Sequence, residues 1–93
     1  LEERLTDLAL RPLTARVAGT LVKLAEAAPA PRFGQSRVVR LTHEQLAGLL
    51  GATREATSKV MVDFAARDLI RQGRGRIVIV DPTALSGVAR RTA

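Results

Sequence analysis

The sequence predicts a small α+β fold that is mainly helical, and three observations support this prediction. Apolar residues recur at spacings of three and four along most of the chain, which is the period of an amphipathic helix. Hydrophobic residues make up 46% of the 93 residues, yet only Phe33 and Phe64 are aromatic, so the core must be aliphatic. After Asp68 the apolar period changes to two, which is typical of β-strands.

The first eleven residues predict the end of a helix. Leu1, Leu5 and Leu8 form an apolar seam at helical spacing. This seam either packs on its own domain or ends a longer dimerisation helix, and it is too short to establish a coiled coil. The chain starts at Leu1 rather than Met, so we expect it to be a piece of a longer protein.

A second helix is predicted to begin at Pro12, because the missing proline N–H is not needed in a first helical turn. We expect this helix to end at Pro29. Its apolar stripe consists of Leu13, Val17, Leu21, Leu24 and Ala28. A Pro/Gly/Ser loop over residues 30–37 follows, and Val38–Leu41 is predicted to be a short strand.

The next segment predicts two capped helices separated by a tight turn. Thr42 and Gln45 have the spacing of a capping box, and Gly51 can end the first helix with a positive φ. Thr53 can cap the following helix. The first helix is expected to direct Leu46, Leu49 and Leu50 inward, with the small Ala47 where the two helices cross.

A β-hairpin and a last helix complete the domain. Leu69–Gln72 and Arg76–Val80 are predicted strands joined by a Gly73-Arg74-Gly75 turn, and Pro82–Arg90 is a predicted helix. This order is that of a winged helix-turn-helix: a three-helix core, a small antiparallel β wing and short helices at both ends, over residues 12–93. Such modules place their second helix in the DNA major groove, although similar helical hairpins occur in proteins that do not bind DNA.

The basic charge is concentrated in one part of the chain. Residues 1–31 carry four basic and four acidic side chains, whereas residues 32–93 carry eleven and five, so the net charge of +6 lies in the second part. This asymmetry is typical of a protein that binds a polyanion. A genome rich in G and C, which favours arginine codons, is the alternative source of the excess.

The candidate base-reading residues lie on one face of the predicted helix 53–67. At about 100° per residue, the core side carries Thr53, Thr57, Val60, Met61 and Phe64. The opposite side carries Arg54, Glu55, Ser58 and Lys59. Arg and Lys donate to guanine O6 and N7, and Glu accepts from cytosine N4. The alternative for Glu55 and Lys59 is an ion pair on a solvated helix face, and the surrounding pattern favours base readout.

Six further residues are candidates for phosphate contacts. Helix N-termini attract anions, which predicts contacts near the start of each of the two helices. Arginines around the hairpin are expected to bind phosphates without sequence preference, although they would also protect an exposed sheet edge from aggregation. His43 could instead be a solvent-facing residue. The candidates are Thr42, His43, Thr53, Arg71, Arg74 and Arg76.

The segment Leu41–Val80 resembles the DNA-binding domain of the Crp/Fnr family of bacterial transcription regulators. The recognition helices of that family commonly carry an Arg/Ser-Glu-x-x-Gly/Ser-Arg pattern. Arg54, Glu55, Ser58 and Lys59 match it here, with Lys59 in place of the usual arginine. Lysine lacks the planar fork that binds guanine with two hydrogen bonds, so the half-site specificity of the family does not carry over unchanged.

The resemblance implies how the whole regulator works. It predicts a homodimer on a pseudo-palindromic double-stranded DNA operator, contact with RNA polymerase, and a cytoplasmic location at the bacterial nucleoid. It also implies an upstream sensor domain whose effector this sequence does not identify, with residues 1–11 as the end of the dimerisation helix. We expect no cofactor and no membrane segment within these residues, and a monomer at micromolar concentration.

Two other functions are compatible with the same fold. A winged helix can bind another protein through its exposed helix, and arginine-rich surfaces can bind nucleic acids regardless of sequence. Catalysis fits poorly, because the chain has no cysteine, one histidine and no Gly-rich phosphate loop, while Asp63 and Asp68 lack a visible partner. The same composition makes a zinc site a poor fit.

Overall fold

The computed structural model describes residues 2–91, with side chains from residue 13 onward. The described part is a mainly helical α+β domain, as predicted, and contains four helices and a small antiparallel sheet. Its elements are α1 (Glu2–Ala27), β1 (Arg37–Val39), α2 (His43–Leu50), α3 (Arg54–Ala66), β2 (Ile70–Gly73), β3 (Arg76–Ile79) and α4 (Pro82–Arg90). None of these helices is long and apolar enough to cross a bilayer.

The first helix differs from the prediction, because α1 continues from Glu2 to Ala27 without a break. The expected helix start at Pro12 is therefore wrong, and the N-terminal element is long rather than short. A proline inside a helix removes one N–H donor and so one helical hydrogen bond. In a helix as long as α1, the turns before and after the proline keep their own hydrogen bonds, so the helix can continue. Leu1 and the side chains of Leu5 and Leu8 lie outside the described residues, so the apolar seam stays a prediction.

The sheet places β3 between the other two strands, with all pairs antiparallel. The first strand begins at Arg37, one residue earlier than predicted, and pairs with β3 through Arg37 opposite Ile79. Gly73 pairs with Arg76 and belongs to β2. The hairpin turn is therefore Arg74-Gly75 rather than the predicted three residues, and Gly75 adopts a φ of +66° there.

The core lies between α1, the buried faces of α2 and α3, the sheet and α4. Its largest fully buried side chains are Phe64, Leu21, Leu46, Met61, Ile77, Leu85 and Val17. Leu49 was expected to face inward, but it is 62% exposed, because the inward face of the short α2 is already filled by Leu46, Ala47 and Leu50. At Gly19 in α1, an added Cβ would lie 3.7 Å from the Ala89 Cβ of α4, so these two helices approach closely.

Candidate nucleic-acid interface

The turn between α2 and α3 has the predicted caps. The Thr42 hydroxyl accepts from the Gln45 amide at 3.0 Å, and the Gln45 side chain accepts from the Thr42 amide at 2.9 Å, which completes the capping box. Gly51 ends α2 with a φ of +65°, and the Ala52 amide donates to the Ala47 carbonyl across this end at 3.0 Å. The Thr53 hydroxyl then accepts from the Ala56 amide at 3.1 Å. These bonds fix the angle at which α3 leaves α2.

The two faces of α3 have different environments. Thr57, Val60, Met61 and Phe64 are buried, and the Thr57 hydroxyl is satisfied by the Thr53 carbonyl at 2.9 Å. Thr53 itself was placed on the core side, but it is exposed, because its side chain caps the helix from outside. On the opposite face the structure exposes the three charged candidates Arg54, Glu55 and Lys59.

His43 connects three elements through its imidazole ring. Its Nδ1 lies 2.9 Å from the Ser58 Oγ on α3, and its Nε2 lies 2.5 Å from the Gln72 Oε1 on β2. His43 and Ser58 are both half-buried as a result. The ring is therefore turned toward α3 and the hairpin, so it is not the solvent-facing residue considered as the alternative.

The hairpin is held beside the start of α2. The Leu41 amide donates to the Gly75 carbonyl at 3.1 Å, which connects the turn to the residue preceding Thr42. A Cβ on Gly73 would lie 2.9 Å from the Arg76 Nε, so the arginine side chain crosses the hairpin over this glycine. The three candidate arginines of the hairpin, Arg71, Arg74 and Arg76, are exposed.

An open cleft of about 390 Å³ lies between α2, α3 and the hairpin. Its walls include the candidates Thr42, His43, Arg54, Ser58 and Arg76. The structure thus brings five of the predicted site residues to one surface, although they are up to 34 positions apart in the sequence. Glu55, Lys59, Thr53, Arg71 and Arg74 are not part of the cleft wall.

Gln72 is the residue of this site that the sequence did not indicate. It lines the cleft and bonds to His43, but a glutamine near a hairpin turn has no distinctive pattern. Only the tertiary pairing of β2 with the start of α2 gives it a role.

Comparison with known proteins identifies the family. Residues 15–88 match the family model of the Crp-like helix-turn-helix domain. The transcriptional regulator SdrP of Thermus thermophilus is 34% identical over 86 residues, which are 92% of this chain and 43% of SdrP. A CRP-like cAMP-activated global transcriptional regulator of Mycobacterium tuberculosis is 38% identical over 87 residues, which are 92% of this chain and 39% of that protein.

Solved structures show the same relationship. A transcriptional regulator of the CRP/FNR family from Thermus thermophilus superposes with a TM-score of 0.80 at 32% identity, over 99% of this chain and 47% of that one. The catabolite activator protein of Thermus thermophilus gives a TM-score of 0.82 at 27% identity, over 99% of this chain and 40% of that one. This chain thus spans less than half the length of the relatives it matches. It belongs to the Crp-like helix-turn-helix domains of the Crp/Fnr family of transcription regulators.

Proposed function

We propose that the domain binds a specific double-stranded DNA sequence, with α3 in the major groove and the β2–β3 hairpin on the phosphate backbone. DNA binding by a regulator of the Crp/Fnr family follows from family membership. The proposed position of α3 in the major groove rests on the exposed face of this helix. It bears Arg54, Glu55 and Lys59 on a helix whose other face is locked into the core.

These side chains suit the major groove. Arg54 and Lys59 can donate to guanine O6 and N7, and Glu55 can accept from cytosine N4. A carboxylate near phosphates is repelled, so Glu55 gains free energy at this position only through a base that it recognises. Ser58, one turn along from Arg54, lines the cleft and completes the proposed base-reading set.

The proposed phosphate contacts surround this face. The hydroxyls of Thr42 and Thr53 accept the capping amides, and each keeps its own proton for donation to a phosphate oxygen. Arg71, Arg74 and Arg76 on the hairpin supply positive charge without sequence information. His43 was predicted to contact a phosphate too, but its two ring nitrogens are engaged by Ser58 and Gln72, so an anion at this position would bind the neighbouring amides at the N-terminus of α2 instead.

The proposal extends to the partners of the full-length regulator. A homodimer would present two copies of α3 to a pseudo-palindromic operator, with half-sites about one helical turn apart. Contact with RNA polymerase and a cytoplasmic location at the nucleoid follow from the proposed role in transcription. The fold alone also permits docking to a protein, and the arginines alone would permit DNA binding without sequence preference.

The test compares Glu55→Ala with Glu26→Ala, which removes the same charge from an exposed position on α1. Binding is measured by fluorescence anisotropy at two ionic strengths, with a preferred duplex and a scrambled one. We expect Glu55→Ala to reduce the preference for the selected duplex by about five- to a hundredfold, the range of one lost base contact. Affinity for scrambled DNA should stay equal or increase.

Glu26→Ala should leave the preference unchanged. An unchanged preference in Glu55→Ala would contradict the proposed readout. Binding that weakens steeply with salt but shows no preference in the original domain would favour the sequence-blind alternative. A domain that does not bind duplex DNA at either ionic strength would favour docking to a protein.

A further inference from the structure

We propose that Ser58 recognises an amino group on a base, adenine N6 or cytosine N4, and that His43 and Gln72 are positioning residues that fix this choice. The inference rests on the proposed function, because it assigns a base chemistry to one residue of that interface. It follows from the direction of the hydrogen bonds in the chain Gln72–His43–Ser58.

The direction of this chain starts at Gln72. Its Oε1 is a carbonyl oxygen, which only accepts, so the His43 Nε2 at 2.5 Å donates to it. A neutral imidazole has one N–H, which leaves Nδ1 as an acceptor. The Ser58 hydroxyl at 2.9 Å therefore donates its proton to Nδ1.

The Ser58 oxygen is left with two lone pairs and no free proton. Because Ser58 lines the cleft between α2, α3 and the hairpin, these lone pairs are available to a partner in that cleft. In the major groove, adenine N6 and cytosine N4 are the donors, whereas guanine O6 and N7 and thymine O4 are acceptors. Ser58 can therefore bind the first two groups and is repelled by the other three.

The same arrangement gives His43 and Gln72 their role. A serine without neighbours rotates its hydroxyl and accepts or donates with equal ease, so it would distinguish these groups poorly. The bond to His43 removes that freedom before DNA arrives. The bond from His43 to Gln72 on β2 also ties the choice to the position of the hairpin, 29 residues from His43 in the sequence.

The test first locates the base pair that Ser58 contacts. Selection from random duplexes is carried out with the original domain and with Ser58→Ala at about pH 8. The position whose preference disappears in Ser58→Ala is the contacted pair. In a synthetic duplex, the exocyclic amino group at that position is then replaced by hydrogen, with purine for adenine or 2-pyrimidinone for cytosine.

We expect the missing amino group to weaken the original domain about three- to tenfold, the effect of one lost hydrogen bond. It should leave Ser58→Ala unchanged. The positioning role is tested by Gln72→Lys, whose ammonium group only donates and so reverses the chain. Ser58 would then offer its proton to DNA, and the preference at this pair should shift from the amino group to guanine O6 or thymine O4.

Gln35→Lys is the control for the added charge, since Gln35 is exposed in the loop before β1 and lies outside the cleft. Gln72→Glu should retain the amino preference, because a carboxylate accepts as the amide oxygen does. His43→Ala should lose most of the preference although Ser58 is present. Circular dichroism melts confirm that all variants fold.

Three results would overturn the assignment while leaving specific DNA binding intact. They are an unchanged selection profile in Ser58→Ala, a contacted group that is a carbonyl or ring nitrogen, and an unchanged preference in Gln72→Lys. A domain that enriches no sequence at all would contradict the proposed function itself and this assignment with it.

Discussion

The α1–α4 pair and the unit formed by α2, α3 and the β2–β3 hairpin are held together by different kinds of contact. The two helices of the pair meet through apolar side chains and a close approach at Gly19 and Ala89. The elements α2, α3 and the hairpin also contribute side chains to the core, but hydrogen bonds join them on their exposed sides. The Thr42 and Thr53 hydroxyls cap the starts of α2 and α3, and the His43 ring is hydrogen-bonded to Ser58 on α3.

The domain thus uses different contacts for stability and for recognition. Apolar burial stabilises a fold without fixing small angles, because it depends on area rather than direction. Hydrogen bonds with short, defined geometry fix the relative orientation of helices and hairpin, which base readout requires.

The largest expected effect is on the core that both regions share. Phe64→Ala should lower the free energy of unfolding by about 3–5 kcal/mol, because Phe64 is fully buried and a cavity would remain. Phe33→Ala is the matched control, since Phe33 is fully exposed and should change stability by less than about 0.5 kcal/mol. Urea denaturation measures both. Equal stabilities in the two variants would contradict the assigned core.

Removing one arginine charge from each region shows which region contacts DNA. Arg74→Ala in the hairpin turn should weaken binding to all duplexes alike and reduce the slope of log K against log salt by about one. Arg90→Ala removes the same charge from the exposed end of α4 and should leave the slope unchanged. Titrations at several salt concentrations give both slopes. A smaller slope in Arg90→Ala alone would place the DNA on the other region.

The smallest effects are expected at two helix ends in left-handed backbone. Asp68 follows α3 with a φ of +57°, where the Leu69 amide donates to the Phe64 carbonyl at 3.0 Å. Asp68→Gly should raise the free energy of unfolding by roughly 0.5–1 kcal/mol, because glycine adopts this φ without steric cost. Gly51→Ala, at a φ of +65°, should lower it by about 1–2 kcal/mol. Thermal melts measure both variants, and a lower melting temperature in Asp68→Gly would contradict the strain assigned to Asp68.

Short-range patterns account for what the sequence predicted correctly. The capping box at Thr42, the cap at Thr53 and the glycine at the end of α2 depend on residues three to five positions apart. The candidate charges of α3 were predicted because a helix repeats its faces every three to four residues. Such rules operate within one element, so they need no knowledge of the rest of the fold.

Most of the errors involve contacts between elements. The sequence did not predict that Leu49 is exposed, because the number of α2 side chains that are buried depends on the elements packed against this helix. It did not predict that β1 pairs with β3. The His43–Gln72 bond was missed for the same reason, since the partners meet only after the hairpin has packed beside α2. Proline is favoured at helix starts, which led to the predicted start at Pro12, but α1 runs through this residue without a break.

Base readout by α3 is tested by in-vitro selection of this domain on a random duplex pool at about physiological salt, followed by sequencing of the bound DNA. If the exposed face of α3 reads bases, the bound pool should be enriched in a half-site containing G·C pairs, matching the donors of Arg54 and Lys59 and the acceptor of Glu55. A bound pool as random as the input would contradict base readout by α3.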